Sequence, residues 1–145
     1  VNGLGYVELF VAKEQAGAAR QLLAEYNQAK ESRVKNTVIL VTNNGLGNAD
    51  EKLQQLLFTK YLELLLQHDE LPAAICFYTN GVKLVCEGSP VIESLRALEN
   101  KGVRLVICST CLSYFNLADK VQVGIVGGMG DILEAQMKAE KVITL

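Results

Sequence analysis

Apolar runs and helix-period stretches alternate along this chain. Residues 6–11, Tyr-Val-Glu-Leu-Phe-Val, predict a short strand. Residues 13–32, dominated by Ala, Leu, Gln and Glu, predict a helix. The composition shifts near residue 34. Residues 37–41, Thr-Val-Ile-Leu-Val, form a continuous run rich in β-branched residues, the pattern of a strand buried on both faces. Residues 42–47 read as a loop, and Asn48 or Asp50 is placed to cap a helix running to about Gln67. Residues 72–78 predict a second buried strand. Thr79, Asn80 and Gly81 then make a turn, and residues 82–85 alternate weakly. Ser89 followed by Pro90 marks a helix start, with Ser as cap and Pro at the first helical position, and that helix stops at Asn100, Lys101 and Gly102. Residues 103–107 predict a third buried strand, and Thr110 is expected to cap a short helix through Phe115. Residues 121–126 are apolar around Gly124 and fit either a strand or a buried loop. Gly127, Gly128 and Gly130 lead into a helix to about Lys138, and residues 141–145 predict a terminal strand.

Strands alternating with helices imply right-handed crossovers. The expected fold is therefore α/β, a three-layer α/β/α sandwich around a mainly parallel sheet of about five strands. Ligands of such sheets bind at the carboxyl ends of the strands. The 42–48 loop, the 79–88 loop, Cys108 to Cys111 and the glycines at 124–130 all follow strands, so they are expected to meet at one edge. Cys76 falls in mid-strand and belongs to the core.

Half of the 145 residues are hydrophobic and 21% are charged, a globular composition that excludes intrinsic disorder. No apolar run reaches the roughly 20 residues of a membrane span. The net charge is −2 and the basic residues are scattered, which argues against nucleic acid as a partner. With one His, a multi-histidine metal site is excluded, and His68 reads as a helix-end cap instead of a catalyst. Four cysteines are too few for a disulfide scaffold. No secretory signal pattern opens the chain, so a reduced cytoplasmic setting is expected.

Cys108 and Cys111 form a CxxC pair. With Thr110 as cap, Cys111 falls at the first helical position, where unpaired N–H groups and the helix dipole would favour a thiolate. The competing reading is that both thiols are small buried hydrophobes. One close pair and two singletons do not suit structural zinc. The glycine turn around Gly128 could cradle an anion or serve turn geometry alone. Lys83, beside Cys86 in a polar loop, could steer an anionic substrate. The leucines of residues 53–66 cover more than one helix face, and the surplus suggests a subunit interface.

Four stretches resemble the DsrE-like sulfurtransferase superfamily, and more narrowly the DsrE-like domain of the YedF selenium-metabolism proteins. They are residues 41–53, including Asn43; residues 80–89, with Gly-Val-Lys-Leu-Val-Cys-Glu-Gly; residues 108–115, with Cys-Ser-Thr-Cys-Leu; and residues 139–145. The resemblance implies a DsrE-like domain over 34–145 that forms homo-oligomers in the cytoplasm and takes part in sulfur or selenium relay. It also implies that residues 1–33 are an N-terminal extension or the remnant of a preceding domain. YedF-like proteins carry there a TusA-like domain with a Cys-Pro motif, and residues 1–33 contain neither Cys nor Pro.

The leading expectation is a carrier in which Cys111 or Cys108 takes persulfide sulfur, or selenium, from a donor protein and yields it to an acceptor. Strand position favours Cys108 and the local motif favours Cys111 equally. Cys86, Lys83, Asn43, Thr110 and Gly128 are the candidate substrate-binding residues, and no metal or organic cofactor is expected. The alternatives are a dithiol redox protein cycling Cys108 and Cys111, and a non-catalytic oligomeric module.

Overall fold

The structure, a computed structural model, describes residues 34–145. The strand expected at 6–11 and the helix expected at 13–32 lie outside the described residues. Within them the apolar runs become strands β1 (Val34–Val41), β2 (Leu71–Phe77), β3 (Arg104–Cys108), β4 (Ile125–Gly127) and β5 (Lys141–Thr144). They form one sheet in the order β4-β3-β2-β1-β5, with every pairing parallel. The expected mainly parallel sheet is thus wholly parallel. The helices are α1 (Glu51–Gln67), α2 (Ile92–Asn100), α3 (Ser109–Tyr114) and α4 (Met129–Lys138). Because parallel crossovers are right-handed, the steps from β1 through β4 place their helices on one face. The return to β5 places α4 on the other.

The β-branched runs are continuous because both sheet faces are covered. Val38 to Val41, Ala74 to Phe77 and Leu105 to Cys108 are all buried. Phe58 and Leu62 of α1, with Leu95 and Leu98 of α2, close one face, while Ile132 of α4 enters the core from its own helix. Burying an aromatic or aliphatic side chain of this size contributes about 1.5–3 kcal/mol, so these few anchors set the helix positions. The leucine surplus on α1 is real: Gln54, Phe58 and Leu62 face inward at helical spacing, while Leu53, Leu56, Leu57 and Leu64 remain exposed.

Three local expectations are corrected. Residues 79–85 are not a turn with weak alternation but a 3₁₀ helix with Gly81, Val82, Leu84 and Val85 buried. The second helix begins at Ile92, two residues late. Ser89 Oγ instead accepts the Val91 N–H at 3.3 Å, and the Ser89 N–H donates to the Cys86 carbonyl, so Ser89 and Pro90 build a tight turn before the helix. Thr110 is not a cap. The α3 helix starts directly at the end of β3, with Cys108 in the cap position and Thr110 already inside the first turn.

Candidate functional site

The carboxyl edge of the sheet gathers the loops as the parallel topology requires. Val41 and Phe77 end their strands in register with Ile107, the residue before the end of β3, and Cys108, which ends β3, pairs with Gly127 of β4. From Phe77 the chain passes through Tyr78, whose N–H donates to the Val41 carbonyl at 3.1 Å, and reaches Thr79. Thr79 has a φ of +49°, a rare conformation for a β-branched residue that costs about 1–3 kcal/mol. Its Oγ1 donates to the Thr42 carbonyl at 2.6 Å, joining the loops after β1 and β2. The strained backbone points its N–H at Cys111 Sγ, 3.0 Å away. Sequence reasoning missed Thr79. The available signal was its place immediately after a buried strand, facing the CxxC strand end.

Cys111 stands at the third position of α3, not the first as expected. It is partly exposed, whereas Cys108 behind it is 1% exposed. The two sulfurs lie 3.2 Å apart, within hydrogen-bonding distance and unbonded covalently. The expected lowering of the Cys111 pKa is reversed. Burial, foremost, and the Cys108 thiol push the Cys111 thiol above its ordinary value, while the Thr79 N–H pulls it down. Thiols with a higher pKa give stronger nucleophiles once ionised.

The remaining candidates separate. Lys83 sits over the Phe115 ring, with Nζ 4.5 Å from its centre, and the Phe115 N–H in turn closes on the Cys111 carbonyl. Lys83 therefore flanks the C-terminal end of α3. Cys86 is buried beyond the far end of the 3₁₀ helix, with its thiol donating to the Val82 carbonyl, and burial raises its pKa. Asn43 spends its amide on its own loop: Nδ2 donates to the Gly47 carbonyl at 2.6 Å, and Gln54 Nε2 donates to the same oxygen at 2.7 Å. Thr110 is exposed beside Cys111.

Gly128 caps α4, and its N–H is taken at 2.9 Å by the Asp131 carboxylate. An anion approaching that glycine turn would meet a carboxylate already seated there. Cys76 is a core residue, as expected; burial lifts its thiol to about 11 against a smaller downward pull from Arg104. Among the described residues no three His, Cys, Asp or Glu side chains converge on a metal position. No helix there is long and apolar enough to cross a membrane. A cleft of about 350 Å³ lined by Tyr61, His68 and Lys141 opens at the opposite, amino end of the strands, away from the thiols.

Fold and site together define a parallel-sheet α/β protein with a thiol pair at the carboxyl edge of its central strands. The DsrE/DsrF-like family profile matches residues 35–145, and the chain belongs to that family. Membership points to a sulfur-relay type of function. Solved structures share the fold. A protein of unknown function from Methanobacterium thermoautotrophicum, MTH1491, is 20% identical with a TM-score of 0.57, covering 75% of this chain and 97% of its own. The YchN protein of E. coli is 15% identical with a TM-score of 0.51, over 75% and 98%. BT1422 of Bacteroides thetaiotaomicron, a conserved protein of unknown function, is 16% identical with a TM-score of 0.56, over 76% and 95%. No curated protein matches the chain closely enough to count as a relative.

Proposed function

We propose that this protein carries sulfur, or selenium, as a persulfide-type group on Cys111. The observation that supports this is the Cys111 thiol itself: partly exposed at the sheet edge and held by the N–H of a strained Thr79. In the reaction, the Cys111 thiolate attacks the outer sulfur of a donor persulfide. The donor S–S bond breaks, the donor leaves as its thiolate, and Cys111 becomes a persulfide. An acceptor thiolate then attacks the outer sulfur and restores Cys111. The Thr79 N–H stabilises the anionic sulfur in both states. Cys108, closed off from solvent, cannot meet a protein donor directly, which favours Cys111 over it as the carrier.

The test is intact-mass spectrometry after incubation with glutathione persulfide. The parent gains one sulfur atom that reductant removes, and Cys111→Ser gains none. Loading accelerates with pH through and beyond the ordinary thiol value of about 8.5, because the thiolate is the nucleophile and its pKa is raised. Cys111→Ser and Cys108→Ser both loading like the parent would end this reading. The 3.2 Å sulfur separation also supports dithiol redox chemistry. Mild oxidation that removes both thiols, on a chain that never accepts sulfur, would favour that reading instead.

The proposal includes self-association in the cytoplasm through the exposed leucines of α1. Residues 1–33 are, on this reading, an N-terminal extension or the remnant of a preceding domain.

A further inference from the structure

We propose that Cys108 is a resolving thiol that discharges the sulfur carried by Cys111 as hydrogen sulfide, or a carried selenium as hydrogen selenide. This rests on the carrier reading above and adds a second fate for the loaded group.

The argument starts from position. Cys108 ends β3 and occupies the cap position of the helix that carries Cys111 three residues later. Residues three apart on a helix face are neighbours, so the two side chains share one side of the first turn. Cys108 is 1% exposed, and the Cys111 sulfur is 3.2 Å from it. A disulfide requires about 2.05 Å between sulfurs, so closure takes a movement of roughly 1.2 Å, within reach of a side-chain rotation. Burial keeps Cys108 from external donors, and proximity gives it one electrophile to attack.

That electrophile is the inner sulfur of the Cys111 persulfide, the atom already beside it. The Cys108 sulfur forms a bond to Cys111 Sγ, and the bond from Cys111 Sγ to the outer sulfur breaks. The outer sulfur leaves with the electron pair, and the proton from the Cys108 thiol converts hydrosulfide to hydrogen sulfide. The two cysteine thiols are oxidised by two electrons in total, and the carried sulfur is reduced by the same two. The chain is left with a Cys108–Cys111 disulfide. An external dithiol reductant must reopen it before another sulfur is loaded. The protein would then relay sulfur when an acceptor thiol arrives first and release sulfide when none does.

The experiment loads the full chain with glutathione persulfide, removes the excess by gel filtration, and follows intact mass and free sulfide with no reductant present. The parent is expected to lose its added sulfur, end two hydrogens lighter than the reduced chain, and release about one equivalent of sulfide. Cys108→Ser and Cys108→Ala, each confirmed folded by circular dichroism, are expected to keep the added sulfur and release about tenfold less sulfide over the same time. Adding dithiothreitol to the discharged parent restores its capacity to load. A parent that holds its persulfide as long as the two variants overturns the resolving role and leaves the carrier reading standing. So does a parent that forms the disulfide without releasing sulfide. No added sulfur on any form overturns both.

Discussion

Replacing Gly81 by Ala tests the way the site is built. Gly81 opens the buried part of the 3₁₀ helix and lies against the end of β1. A Cβ there would stand 2.1 Å from the Val41 carbonyl oxygen and 2.8 Å from its carbon. These are backbone atoms of a fully buried residue, so neither can rotate away. The 3₁₀ helix must lift instead. Forcing extra volume into a packed site costs about 1–3 kcal/mol. The Tyr78 N–H bond to the same Val41 oxygen is strained as well, which adds about 1 kcal/mol. The sum is about 2–4 kcal/mol, and at roughly 4 °C per kcal/mol for a domain of this size the melting temperature falls by about 8–16 °C. Gly88→Ala is the control. Gly88 has a φ of +93° and nothing within 4 Å, so Ala there meets strain but no clash, a cost of about 1–2 kcal/mol. Thermal melts followed by circular dichroism compare the two. Gly81→Ala melting no lower than Gly88→Ala would refute the claim that close approach to Val41 positions the segment bearing Thr79.

Two further outcomes are expected. Burial raises the Cys76 thiol from an ordinary value to about 11, so its folded form favours the neutral state. That contribution is whole below the unfolded thiol pKa and is lost as pH climbs toward about 11, amounting to about 2 kcal/mol. Cys76→Ala should be less stable than the parent at neutral pH and close most of that gap between about pH 9 and 11 in denaturant titrations; a constant gap would contradict the assigned cause. Double substitution of Leu56 and Leu64, both exposed on α1, by Glu should lower the sedimentation mass of the native chain without lowering its melting temperature. Unchanged sedimentation would count against the α1 interface.

The class of fold was legible because a sheet covered on both faces leaves a mark that needs no partner to read. Strands that are apolar almost throughout, at 37–41, 72–78 and 103–107 with Arg104 the charged exception, satisfy that burial in a parallel sheet between helices. Parallel connection then forced the four loops to one edge. The CxxC spacing was equally local, since a short helix brings its own residues three apart together. Boundaries were less legible. Thr110 and Ser89 are good caps in isolation, yet the exits of β3 and of the 3₁₀ helix decided where each helix could begin.

What tertiary structure alone decided lies between segments distant in sequence. Thr79 reaches Cys111 across 32 positions, and its positive φ exists because Tyr78 and Gly81 are pinned against Val41. No local preference would put a threonine in that conformation. The seating of Asp131 on Gly128, the burial that raises Cys111, and the placing of Cys108 behind it likewise depend on packing. Periodicity and spacing record what each segment prefers by itself. Which thiol meets solvent, and which N–H faces it, is settled only when separate strands end side by side.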